Sequence, residues 1–274
     1  VKCFEKAATL KPDFADAHYN LGLTLQELNQ LEAAIKSYQV TLGLQNSYFK
    51  AHNNLGIIYK ELGQLDESVN SYEKALKIQP DFAEAYNNLG NTLNELDKFD
   101  EAVKAYEEAL KIQPDYLEVC NNLGKILNKI GQIDKAVKCY EKAIAINPDY
   151  DEAYLNLGIT LNELGQLDEA VKCYEKAIAI NPEYAEAHNN LGVTLTELSQ
   201  LHEAVKCYEK AIAINLDYDE AYLNLGIALE KLGQSEEALN SYEQALVINP
   251  DCADAYNNIG YILRGLGQLD EAFS

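Results

Sequence analysis

Apolar residues recur along this chain at steps of three and four, the spacing of one buried face of a helix. In AEAYNNLGNTL at 83–93, Ala85, Leu89 and Leu93 mark that face and Leu96 continues it. The same stretch carries Asn87-Asn88-Leu89-Gly90 in mid-helix, and the four letters or near variants return at 53–56, 121–124, 189–192 and 257–260. Asn is a poor helix former, and Gly costs about 1 kcal/mol against Ala in a helix interior. Weak helix formers that recur at the same place need a reason outside local propensity.

The reason begins with a period. Gly22, Gly56, Gly90, Gly124, Gly158, Gly192, Gly226 and Gly260 are each 34 residues apart. Taking this glycine as repeat position 8, position 7 is Leu, or Ile259 in the last unit. Position 20 is Ala34, Ser68, Ala102, Ala136, Ala170, Ala204, Ala238 and Ala272. Position 24 is Tyr from Tyr38 to Tyr242, with Phe4 in the broken first unit. All six prolines, Pro12, Pro80, Pro114, Pro148, Pro182 and Pro250, stand at position 32; Asn46 and Leu216 replace it in two less rigid turns.

This pattern resembles the tetratricopeptide repeat, a 34-residue unit of two antiparallel helices. The resemblance covers essentially all 274 residues. It implies an all-α, right-handed α-solenoid of about fifteen helices with no strands. The chain then divides into a partial repeat 1–14, full repeats 15–48, 49–82, 83–116, 117–150, 151–184, 185–218 and 219–252, and a partial repeat 253–274, all in one solenoid domain. Both ends cut through a second helix, which reads as a segment of a longer protein with apolar faces open to end-to-end self-association. YDEAYLNLGI occurs at 150–159 and again at 218–227, an echo of two units.

Each recurring residue has an expected task. Glycine at position 8 lets the two helices of a repeat approach, with the position-20 alanine facing it, and the position-24 tyrosine fills the gap between neighbouring units. Position 15 (Gly63, Asp97, Gly131, Ser199) holds residues that tolerate a left-handed turn. Asp81 is placed to cap the next helix, with Glu84 completing a capping-box-like pair; Asp115/Glu118, Asp149/Glu152 and Asp217/Glu220 repeat the spacing.

At about 100° per residue, positions 2, 6, 9 and 13 form one stripe of the first helix, and positions 3, 7, 10, 11 and 14 the core stripe. The family resemblance places the first helices on the concave wall. Position 6 is Asn in every unit: Asn20, Asn54, Asn88, Asn122, Asn156, Asn190, Asn224 and Asn258. A carboxamide both donates and accepts, so such a row can grip the backbone of an extended peptide whatever its sequence; alternatively it bonds neighbouring helices and sets the superhelical pitch. The row resembles the asparagine ladder in the repeat region of O-linked N-acetylglucosamine transferases, whose wording DFADAHYNLG and DFAEAYNNLG also approach. Asn53, Asn87, Asn121, Asn189 and Asn257 at position 5 form a weaker row, interrupted by Tyr19, Leu155 and Leu223. Position 9 adds apolar contacts (Leu23, Ile57, Ile159, Val193, Ile227, Tyr261) and position 13 carboxylates (Glu27, Glu61, Glu95, Glu163, Glu197). A basic or basic-apolar peptide suits this stripe. Lys50, Lys60, Lys125 and Lys129 are too scattered for the carboxylate-clamp variant of the fold.

Charge and chemistry narrow the partner further. A net charge of −22 and a pI of about 4.5 disfavour nucleic acid and anionic membranes. No apolar run approaches the ~18 residues of a membrane span. Cys3, Cys139, Cys173 and Cys207 share position 23 with Ser37, Ser71, Ala105 and Ser241, an interchange that marks a small buried side chain. Equivalent residues of stacked repeats lie roughly 10 Å apart, beyond disulfide reach, so six reduced thiols and a reducing, cytoplasmic compartment are expected. His18, His52 and His188 share position 4, one per unit, and His202 stands where Asp is usual, so they form no metal set. No zinc spacing, phosphate loop or catalytic constellation is present, and no cofactor is expected. The expected function is a non-enzymatic protein-interaction scaffold. The alternative is the substrate-recruiting arm of a larger glycosyltransferase or sulfotransferase.

Overall fold

A computed structural model of the chain describes residues 1–265, and Ala272 lies outside them. The described residues form sixteen helices and no strand. α1 (Lys2–Leu10) is the second helix of the broken first repeat. Pairs follow: α2 (Ala15–Glu27) with α3 (Leu31–Leu44), α4 (Phe49–Glu61) with α5 (Leu65–Ile78), α6 (Ala83–Glu95) with α7 (Phe99–Ile112), and α8 (Leu117–Lys129) with α9 (Ile133–Ile146). Then come α10 (Asp151–Glu163) with α11 (Leu167–Ile180), α12 (Ala185–Glu197) with α13 (Leu201–Ile214), α14 (Asp219–Lys231) with α15 (Ser235–Ile248), and α16 (Ala253–Gly265).

The contacts group the chain into two units, Val1–Cys139 and Tyr140–Ser274, with the boundary inside α9. In the first unit α2 packs on α3, α4 on α5 and α6 on α7; each second helix also touches the next first helix, and successive first helices touch each other. The second unit repeats this from α10 through α16. Such nearest-neighbour packing is what a solenoid of helix pairs requires.

Three-residue turns reverse the chain within each pair. Asn29, Gly63, Asp97, Gly131, Gly165, Ser199 and Gly233, all at position 15, have φ between 55° and 79°. This left-handed conformation ends the first helix, as the residue types there foretold.

Two expectations are corrected. The tyrosine does not simply fill a gap between units: its ring lies against the position-8 glycine of its own repeat. A Cβ on Gly90 would stand 2.6 Å from Tyr106 Cε1, and Gly22, Gly56, Gly158, Gly192 and Gly226 face their tyrosines likewise. The seven tyrosines from Tyr38 to Tyr242 are at most 2% exposed, so the ring cannot step aside. The expected capping boxes also do not form. Each helix starts one residue later, at position 1, with an aromatic N-cap (Phe82, Tyr116, Tyr150, Tyr218) and no side-chain cap bond. Backbone carbonyls serve instead, as in Ala85 N–H to Phe82 O at 3.1 Å. Asp81 accepts from Gln79 Nε2, and the position-2 glutamates are drawn to another partner, described below.

Gly90→Ala therefore sets a helix-propensity gain of about 1 kcal/mol against an overpacking cost of about 1–3 kcal/mol in a closed core. We expect a lower melting temperature. Gly43 lies inside α3 with nothing within 4 Å of an added Cβ, so Gly43→Ala should raise it. Calorimetry on both variants checks the contrast.

Candidate functional site

The first helices present the candidate surface, and the structure separates its two asparagine rows. The position-5 asparagines within the stack are enclosed, with Asn53, Asn87, Asn121 and Asn189 at most 3% exposed, whereas Asn257 on α16 is exposed. The position-6 residues are half-buried, except Asn54, which is buried.

The buried row joins consecutive repeats. Asn53 Nδ2 donates to Glu84 Oε1 at 3.2 Å, while its Oδ1 accepts from Asn88 Nδ2 at 3.2 Å. One side chain thus holds positions 2 and 6 of the next first helix together. Asn189 does the same to Glu220 (3.5 Å) and Asn224 (3.1 Å). Asn87 donates to Glu118 at 3.3 Å, but Asn122 turns away to Asn91 Oδ1 at 3.2 Å. The Asn87 Oδ1 is consequently buried without a partner. Asn54 donates to Tyr38 Oη at 3.1 Å and to Tyr19 Oη at 3.3 Å.

Where position 5 is apolar, this joint cannot form. Leu155 precedes Asn190 by one repeat, and among the described residues the Asn190 carboxamide has no hydrogen-bond partner, only its backbone carbonyl accepting from Thr194. Its amide is left to solvent or a ligand. Leu223 likewise precedes Asn258, whose carboxamide lies near the Tyr242 hydroxyl. Asn156 and Asn20 are half-buried on the same face.

Beside the asparagines, Ile57, Ile159, Val193 and Ile227 at position 9 are half-buried and Leu23 and Tyr261 exposed. Glu27, Glu61, Glu95, Glu163 and Glu197 at position 13 are exposed. In the first unit Lys60 Nζ reaches Glu95 at 2.8 Å, and in the second Asn162 Nδ2 reaches Glu197 at 3.5 Å. Exposed pairs of this kind contribute about 0–1 kcal/mol and leave the field acidic.

Position 12 escaped sequence reasoning. Gln26, Thr196 and Glu230 bond the hydroxyls of Tyr38 (2.9 Å), Tyr208 (3.1 Å) and Tyr242 (3.0 Å) in their own repeats. The signal was present, because position 12 is polar in every unit from Gln26 to Arg264. Burial raises the phenols of Tyr38 and Tyr208 from 10.0 to about 12 and raises those of Tyr72, Tyr106, Tyr174 and Tyr242 too.

Cys3, Cys173, Cys207 and Cys252 are free thiols. Burial, then nearby glutamates, pushes Cys173 and Cys207 up to about 11, away from nucleophilic use. His18 and His188 bond the Pro12 and Pro182 carbonyls at 3.0 and 3.1 Å, roles of packing. Among the described residues no group of three or more His, Cys, Asp or Glu is placed to hold a metal, and no helix is long and apolar enough to cross a membrane.

Family models described as TPR repeat match residues 58–97, 124–165 and 160–199, and models described as tetratricopeptide repeat match 83–116, 183–250, 3–36 and 241–273. The chain belongs to the tetratricopeptide-repeat family, whose repeats build protein-interaction scaffolds. A crystal structure of MamA is 30% identical, with 60% of this chain and 96% of that one covered and a TM-score of 0.56. YrrB, described as a TPR protein with an unusual peptide-binding site, is 22% identical over 69% of this chain and 97% of its own, with a TM-score of 0.57. PilF of Pseudomonas aeruginosa is 18% identical over 76% and 95%, with a TM-score of 0.67. The last two likenesses concern the fold alone. No curated protein gives a significant match.

Two outcomes are expected. Asn224→Ala strands the buried Asn189 Oδ1 and should cost about 1–3 kcal/mol, whereas Asn190→Ala should leave the melting temperature unchanged or slightly raised. The raised phenols keep their neutral form in the fold, so their contribution is intact below pH 10.0 and is lost as pH climbs through about 12. Tyrosinate absorbance should therefore lag behind free tyrosine until helicity collapses.

Proposed function

We propose that the chain is a non-catalytic scaffold that holds an extended, basic or basic-apolar partner segment along its first-helix face. The observation that carries this reading is Asn190, a half-buried mid-helix carboxamide with no internal partner. It is flanked by Val193 at position 9 and Glu197 at position 13. A poor helix former kept there without an internal bond fits a ligand-facing task. The buried position-5 row supports this face from behind; Asn88, Asn122 and Asn224 divide their capacity between the neighbouring repeat and a ligand, whereas Asn54 is buried with its amide spent on Tyr19 and Tyr38. Isoleucines at position 9 supply the apolar contacts and glutamates at position 13 attract the charge. A reducing, cytoplasmic setting suits free thiols such as Cys173 and Cys207. The O-linked N-acetylglucosamine transferase-like wording of the repeats favours a second reading, the recruiting arm of a larger enzyme, and the full-length reading frame decides between them.

The test uses a synthetic peptide alternating Lys and Leu, with a Glu/Leu peptide as control. The basic peptide should bind and the acidic one should not. Asn190→Ala removes one hydrogen bond of about 0.5–1.5 kcal/mol, so affinity should fall roughly two- to tenfold. Glu163→Lys with Glu197→Lys should lower it by about tenfold at low salt, whereas Glu209→Lys on α13 should not. Equal loss from all three changes would reduce the binding to net charge and end the proposal.

A further inference from the structure

In a chain of net charge −22, one cavity of about 730 Å³ in the first unit is lined by Gln45, Asn46, Ser47, His52, Lys74, Lys77 and Ile78. Two ammonium groups and an imidazole face it, and no lining residue is a carboxylate. We propose that this cavity, between the turn before α4 and the last turns of α5, binds a phosphate monoester.

The cavity departs from the repeat pattern at each place that matters. Position 33 is Asp or Glu in all seven other units, from Asp13 to Asp251; here it is Ser47. The negative charge is missing where the lysines gather, and a hydroxyl stands in its place. Position 32 is Pro in six units, which has no N–H; here it is Asn46, which has one. In four later turns the position-33 amide donates to an Asn at position 31, as Asp149 N–H does to Asn147 Oδ1 at 3.0 Å. Position 31 here is Gln45, and among the described residues the Asn46 and Ser47 amides make no hydrogen bond.

The lysines are likewise unspent. Lys74 and Lys77 lie one turn apart on α5, both exposed, and neither has an ion pair among the described residues. Their counterparts on α7 are Glu108 and Lys111, which pair with each other at 2.6 Å. His52 is 8% exposed and lines the cavity beside Asn46, which sets α4 against the turn. Burial, then Lys74, holds its imidazole below the ordinary value. A phosphoryl dianion has the charge for two ammonium groups and enough acceptor oxygens for the turn's amides and hydroxyl. The volume exceeds one phosphate and matches a carried ester.

The test is a backbone-amide and imidazole NMR titration of the whole chain with phosphoserine and inorganic phosphate, against serine and acetate at equal ionic strength. Phosphate-bearing ligands should saturate shifts at Asn46, Ser47 and His52 and raise the His52 pKa. Saturation by either supports the site, and their ratio shows how much the carrier adds. Ser47→Asp restores the carboxylate of the other units, so it should fold unchanged yet bind at least tenfold more weakly, as should Lys74→Gln with Lys77→Gln. Equal responses to acetate and phosphate, or unchanged affinity in Ser47→Asp at an unchanged melting temperature, would overturn the proposal.

Discussion

The contact between a glycine Cα and a tyrosine ring governs each repeat. A Cβ at position 8 would fall within the radius of the ring it faces, as for Gly90 against Tyr106. Gly is thus obligatory where helix propensity would choose Ala. The buried ring then fixes how closely the two helices approach. Its hydroxyl is carried to a polar partner, as for Tyr38 with Gln26 and Asn54 or Tyr106 with Asn91.

Polar bonds between repeats complete the stack. A nearest-neighbour solenoid gains its cohesion at interfaces, and here that interface carries carboxamides as well as apolar groups. Asn53 and Asn189 each hold two residues of the next first helix. Their geometry makes register costly to change, because a slip would bury unpaired amides. The local cost of Asn in a helix is a few tenths of a kcal/mol, and one such bond offsets it.

Where that polar row lapses, surface chemistry becomes free for other use. Leu155 leaves Asn190 unbonded on the first-helix face, and Ser47 with Asn46 leaves a cationic cavity without its usual carboxylate. Departures from the repeat, more than the repeat itself, therefore mark the places where ligands are proposed.

The periodic sequence alone determined the helix pairs, their turns and the recurring glycine, alanine and tyrosine positions. Position 15 announced its left-handed turns through Gly, Asn, Asp and Ser. Partnership was not legible, since one letter at one position serves different bonds. Asn88 reaches Asn53 whereas Asn122 reaches Asn91, a choice opened by a polar residue at position 9 in the preceding unit. The position-2 glutamates looked like caps, yet helices that begin one residue later left them to accept from the preceding repeat. Sequence spacing is one-dimensional and reports which residues share a helix face. Only packing in three dimensions decides which donor meets which acceptor, because that depends on the helix brought alongside.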